Sequence, residues 1–170
     1  LHAVAREYVD FAFVVKDSLM RVPYFKDILS SIGNIPVERK NPREDLKTVL
    51  TEGKKVLQAG RSMIVFPQAT RTRVFDREQF NSIGVKLAKH AQVPIIPLAL
   101  RTDFLTNGKI LKDLGPIRRK LPVWFAFGEP IMEVKGSGKE EHKQIVDFIK
   151  ENLKAWDCQV IEPEDGDAGK

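Results

Sequence analysis

Phe66-Pro67-Gln68-Ala69-Thr70-Arg71-Thr72-Arg73 follows directly on the apolar run Ser62-Met63-Ile64-Val65-Phe66. A short continuous apolar run with β-branched residues, closed by a proline, predicts a strand covered on both faces. The loop after it therefore opens at the end of a sheet, where layered α/β folds place their ligands. Within eight residues it offers two guanidinium groups, two hydroxyls, a side-chain amide and backbone N–H groups. The planar fork of arginine matches phosphate, to which it can donate two parallel charge-assisted hydrogen bonds. Composition alone leaves two readings open, a phosphate-binding loop and a solvated basic one.

Outward from this loop, strands and helices alternate. Phe11-Ala12-Phe13-Val14-Val15 is a second buried-strand run, and Ile35-Pro36-Val37 a short extended segment. Pro23 opens a short predicted helix from about Tyr24 to Ser31, ended near Gly33. Asn41-Pro42 supplies an N-cap and first helical residue, with Glu44 and Asp45 in the first turn. Leu46, Val49, Leu50, Val56 and Leu57 continue at helical spacing, and Gly60 can close the helix. A helix from about Ser82 to His90 leads to a strand over Ile95-Ile96-Pro97-Leu98-Ala99-Leu100, a turn at Asn107-Gly108 and a strand over Val123–Phe127. Ser137 and Glu140 predict a capping box for a last helix with the stripe Ile145, Phe148, Ile149, Leu153 and Trp156. The expected architecture is α/β: one layered domain over residues 1–156, a largely parallel or mixed sheet flanked by helices, with 157–170 an acidic disordered tail.

The 170 residues, 42% of them hydrophobic, suit one compact core. The formal charge is +5, but the tail from Asp157 carries −4 and the body +9. Such a body attracts phosphate on lipid headgroups, coenzyme A or nucleic acid, or simply keeps the surface soluble. Cys158 is the single cysteine, which leaves no disulfide framework or zinc spacing and fits a reducing compartment. No run approaches the ~18 apolar residues of a membrane span, and none reads as a signal peptide. The chain begins at Leu1, so the natural protein is expected to continue upstream. Nucleic-acid binding has the charge but not the modules, and a serine hydrolase lacks its G-x-S-x-G elbow.

Phe66-Pro67-Gln68-Ala69-Thr70-Arg71 resembles the F-P-E-G-T-R signature of the glycerolipid acyltransferases, the 1-acylglycerol-3-phosphate acyltransferases in particular. Ile32-Gly33-Asn34-Ile35-Pro36-Val37-Glu38-Arg39 is similar to that family's preceding block, and Val93-Pro94-Ile95-Ile96-Pro97-Leu98 to its following one. Val14-Val15-Lys16 with Val22-Pro23-Tyr24-Phe25 is similar to its lysine and proline-aromatic segment. The resemblance implies the glycerolipid acyltransferase fold and transfer of a fatty acyl group from a thioester to a lysophospholipid hydroxyl. It implies a lysophospholipid acceptor, acyl-CoA or acyl-carrier protein as donor, no cofactor, no metal and no nucleic acid. It also implies work at the cytoplasmic face of a membrane, peripherally or through an upstream anchor.

By the same resemblance Arg71 holds the acceptor phosphate, with Lys16 and Arg39 as further cations and Phe66, Pro67, Gln68, Ala69 and Thr70 completing the substrate-binding loop. Lys16 and Arg71 are expected in one open cleft, Arg39 at its edge, and the Leu1–Asp10 end beside it. Two departures bear on the acceptor. Gln68 stands for the family glutamate and carries no charge, and Ala69 stands for the glycine. Met20, Val22, Tyr24 and Phe25 read either as core or as a surface touching the bilayer.

The family's base is a histidine in H-x-x-x-x-D, upstream of the lysine segment, and no catalytic residue is assigned in this chain. His142 and Asp147 have the spacing, but residues five apart on a helix point about 140° apart, and both read as solvated helix positions. His2 and Glu7 lie too close to Lys16, and His90 reads as a surface helix end. A catalytically incomplete module that binds lipid phosphate or an acyl carrier is the competing reading.

Overall fold

The computed structural model describes residues 10–21, 27, 32–38, 40–68, 74–102, 118 and 120–161. β1 (Phe11–Lys16) is the centre of a parallel sheet, flanked by β2 (Ile35–Val37) and β3 (Ser62–Ile64). Val14 lies beside Ile35 and Lys16 beside Val37, while Phe11 lies beside Ser62 and Phe13 beside Ile64. The central position explains the apolar run, since Phe11 and Ala12 are buried. Pro36 fits because, among the described residues, β2 is an edge strand, where a missing N–H costs no ladder bond. β3 is the other edge and is shorter and more exposed than its sequence predicts. It ends at Ile64, its residues are at most half-buried, and Phe66 is 52% exposed.

α1 (Pro42–Gln58) begins as expected: the Asn41 side chain accepts the Arg43 N–H at 3.2 Å, and Pro42 needs no partner. α2 (Ile83–Ala91) packs against it. Gly53 permits this approach, since a Cβ there would lie 2.9 Å from a Leu87 methyl and 3.0 Å from the Met63 sulfur. α2 serves two cores. Leu87 and Ile83 join Val37, Val49 and Met63 beneath the sheet, whereas Val85 and Ala88 join Phe75, Phe80, Ile131, Ile145 and Val146.

The second core rests on α3 (Lys139–Ala155), and two small sheets complete the described structure. β4 (Val74–Asp76) runs parallel to β7 (Gln159–Ile161), and β5 (Leu98–Thr102) runs antiparallel to β6 (Val123–Phe127). The strand expected from Ile95 starts at Leu98, because Pro94 and Pro97 lack N–H donors. Ile95 makes only a lone bridge to Ile131, and Ile96 is exposed. The expected capping box is absent. Gly138 is the N-cap, and Glu141 reaches back instead, its Oε1 accepting the Lys135 N–H at 2.7 Å. The tail is ordered further than expected, because Gln159–Ile161 finds an edge on β4; residues 162–170 lie outside the described residues. Of the predicted helix from Tyr24 to Ser31 only Asp27 is described, and it is helical; the Asn107-Gly108 turn falls outside the described residues. Among the described residues no helix is long and apolar enough to cross a membrane.

Candidate functional site

Three parallel strands deliver their C-terminal ends to one edge of the sheet. Lys16, exposed, is the last residue of β1 and lies beside Val37, the last residue of β2. Pro67 stands three residues beyond Ile64, as Lys16 stands three beyond its ladder partner Phe13. The start of the signature and Lys16 thus leave the sheet at the same edge. Arg39 follows two residues after Val37, but Arg39, Ala69, Thr70 and Arg71 lie outside the described residues. The expected convergence of Lys16 with Arg71 and Arg39 therefore has one described member, Lys16.

The opening of the signature is held from several sides. The Phe66 ring stacks on Phe13, centroids 6.3 Å apart and planes 3° from parallel, and Phe13 meets Phe11 edge-on at 5.3 Å. The Pro67 carbonyl accepts the Asn81 backbone N–H at 3.2 Å and also the Asn81 side-chain amide. Gln68 forms a bridge with Phe80, and its side-chain amide donates to the Val74 carbonyl at 3.4 Å. That bond ties the last described residue before the loop to the first one after it. A carboxylate at 68 would set acceptor against acceptor, so the departure from glutamate has a local structural use.

Neither Asn81 nor Asn34 carries a role in the sequence reading. Asn34 is buried, and its Oδ1 accepts the Phe13 N–H at 2.8 Å, fixing the approach to β2 against β1. Asn34 stood inside a quoted block, but a lone asparagine signals no more than a turn until its partner is known.

The opposite end of the sheet is clamped by Arg61. Its Nε and Nη2 donate to the Asp10 carboxylate at 2.9 and 3.0 Å, and Nη2 also donates to the Ile32 carbonyl at 2.6 Å. Asp10 was expected beside the Lys16 cleft, and it is not there. One strand of six residues separates them, roughly 20 Å at 3.3 Å per residue. Leu1–Val9 lie outside the described residues, as does His2.

The remaining histidines stand apart from the strand ends in sequence and element. His90 is exposed in the last turn of α2, as expected. His142, expected in solvent, is half-buried with its ring 5.9 Å from that of Phe80. Burial holds its pKa below the usual imidazole value; a hydrogen bond to the Phe80 backbone raises it, and the charges of Arg77 and Lys86 lower it further. Asp147 does not orient it but pairs with Lys143 at 2.7 Å.

A family model described as acyltransferase matches residues 1–101, and the chain belongs to that acyltransferase family. Within the family its relatives are 1-acyl-sn-glycerol-3-phosphate acyltransferases. The one from Pseudomonas aeruginosa is 33% identical over 148 residues, covering 87% of this chain and 54% of that protein. The one from Borreliella burgdorferi is 27% identical over 147 residues, covering 84% and 55%. The chain thus spans about half the length of these curated relatives. The crystal structure of the 1-acyl-sn-glycerophosphate (LPA) acyltransferase PlsC from Thermotoga maritima superposes with a TM-score of 0.60 at 16% identity, over 90% of this chain and 59% of that one. The α/β architecture is shared with that enzyme.

Proposed function

We propose that the protein transfers a fatty acyl group from an acyl thioester to the free hydroxyl of 1-acylglycerol-3-phosphate, giving phosphatidate. The observation that carries this reading is the placement of Lys16 and the pinned opening of the signature, Phe66–Gln68, at one edge of a parallel sheet. Lys16, Arg39 and Arg71 are the cations that receive the acceptor phosphate, and the thioester is acyl-CoA or an acyl-carrier protein. Near the bound acceptor the hydroxyl oxygen attacks the thioester carbonyl, the C–S bond breaks, and the hydroxyl proton passes through a base to the departing thiolate. The thioester is already activated, so the step needs no metal or nucleotide. The base is a histidine of an H-x-x-x-x-D segment upstream of Lys16, and the site works at the cytoplasmic face of a membrane.

The experiment is release of free thiol from acyl-CoA or from an acyl-carrier protein by the intact protein, with phosphatidate followed by mass spectrometry. Turnover that needs lysophosphatidate and falls with Arg71→Ala supports the reading. Binding of lysophosphatidate with no turnover of either thioester donor would establish the non-catalytic binding module instead.

A further inference from the structure

Among the described residues β6 is paired along one side only, with β5. Its other edge offers backbone N–H and C=O groups to a further strand, a hazard that proteins commonly blunt with lysine or proline. Neither a charge nor a proline interrupts Val123-Trp124-Phe125-Ala126-Phe127. Val123 and Trp124 are exposed, and Phe127 is 68% exposed. By strand alternation Val123, Phe125 and Phe127 share a face with the ladder partners Leu100 and Leu98. None of these five belongs to either core described above. The other face is occupied: the Trp124 ring lies 6.0 Å from that of Trp156 at the end of α3, and Ala99 is buried.

The two flanks of this strand differ in charge. Arg118 and Lys120 precede it and Glu129 follows it, all three exposed. At the acidic end a groove of about 660 Å3 lies between β6 and α3. Phe127 and Phe148 line it together with Glu129, Glu140 and Glu151, while Asp147 is paired with Lys143 at 2.7 Å. In a body of net charge +9 this groove is locally acidic. Antiparallel pairing of β6 with a second β6 about its middle sets each basic flank against the other strand's acidic flank. A two-fold axis repeats that match on both sides.

We infer that β6 is a self-association edge: it pairs antiparallel with β6 of a second copy of this chain, and Arg118 and Lys120 of each copy meet the acidic groove of the other. A lipid surface fits the same residues less well. Acyl tails satisfy no backbone N–H or C=O group, and the carboxylates around the groove repel anionic headgroups. A foreign strand could add to the edge, but it would need the order basic, apolar, acidic that this chain supplies itself. The function proposed above uses none of these residues, so each reading can fail without the other.

Sedimentation velocity of the intact protein over a range of concentrations tests this, with charge-swapped variants. The parent is expected to pass reversibly from monomer to dimer. Lys120→Glu alone and Glu129→Lys alone are each expected to weaken the dimer about tenfold, and the two swaps in one chain to restore it to within about threefold of the parent. Phe127→Lys, at an exposed position, is expected to weaken it at unchanged melting temperature, and Lys47→Glu on α1 to leave it intact. A monomer at every concentration overturns the proposal, as does a monomer that binds vesicles of phosphatidylglycerol and loses that binding with Phe127→Lys. A dimer unmoved by both single swaps and by Phe127→Lys also overturns it, because another surface then joins the copies.

Discussion

The side-chain amide of Gln68 donates to the carbonyl of Val74 at 3.4 Å, and so joins the entry of the signature loop to its exit. The bond also gives position 68 a preference for an amide over the acid that the resemblance expects there. Gln68→Glu is expected to cost about 0.5–1.5 kcal/mol, the net worth of such a hydrogen bond plus an unfavourable oxygen–oxygen contact. It is also expected to weaken lysophosphatidate binding, because the loop bearing Arg71 loses its closure. Thermal unfolding and acceptor titration of the variant check both. An unchanged melting temperature would show that the Gln68–Val74 bond holds nothing.

Arg61 offers the complementary case, a strong polar tie at the far end of the same strands. Asp10 is largely exposed, so the ion pair itself contributes modestly, while the bond to the Ile32 carbonyl is partly buried. Arg61→Ala is therefore expected to lower stability by about 1–2 kcal/mol with acceptor affinity unchanged. A fall in acceptor affinity at intact folding would mean that the two ends of the sheet do not act separately.

Gly138 joins the starts of α2 and α3 at a left-handed backbone angle with no room for a side chain. Gly138→Ala is expected to destabilise by about 1–3 kcal/mol, from backbone strain and overpacking against Val85 and Val134. Denaturant unfolding measures it. The same substitution at Gly60 shares the positive φ but meets nothing within 4 Å, and so serves as a control for strain alone.

The pH dependence of stability carries two signatures of the same sign. His142 has a folded pKa below its ordinary 6.5, so the unfolded chain takes up a proton first as pH falls. Its contribution is complete above about 6.5 and declines below it, down to the folded pKa. Hydrogen bonding to the Lys135 N–H holds Glu141 below its ordinary 4.5, so its contribution is present above that value and lost as pH falls through the lower folded pKa. His142→Gln is expected to flatten the stability profile just below 6.5 while keeping the acid limb, and Glu141→Gln to do the reverse. A His142→Gln profile parallel to that of the parent protein throughout contradicts the burial argument.

Local signals carried much of this fold. Asn41-Pro42 starts α1, Val123–Phe127 is β6, and the apolar run at Phe11 is a central strand, because caps and periodicity act within a few residues. β4 and β7 were illegible for the opposite reason. Each has three residues, and each becomes a strand only by pairing with a segment more than eighty residues away. The Ser137 cap failed because Gly138 already occupies the cap position, where close packing on Val85 requires it. At the site, the signature and Lys16 could be read by resemblance. The bonds from Asn81 to Pro67 and from Asn34 to Phe13 could not, since each joins residues distant in sequence.

The central claim is that Lys16 at the end of β1 and Arg71 in the signature act on one acceptor phosphate. A double-mutant cycle on lysophosphatidate affinity in the intact protein measures this most directly, with Lys16→Ala, Arg71→Ala and both together. Lys47→Ala on the exposed face of α1 is the control. Arg101 is unsuitable as a control because its guanidinium donates to the Trp156 carbonyl. Arg71→Ala is expected to weaken binding about 30-fold or more, Lys16→Ala about three- to tenfold, and the pair by less than the product of the two. Lys16→Ala indistinguishable from Lys47→Ala, or full additivity of Lys16 and Arg71, would contradict a shared phosphate site.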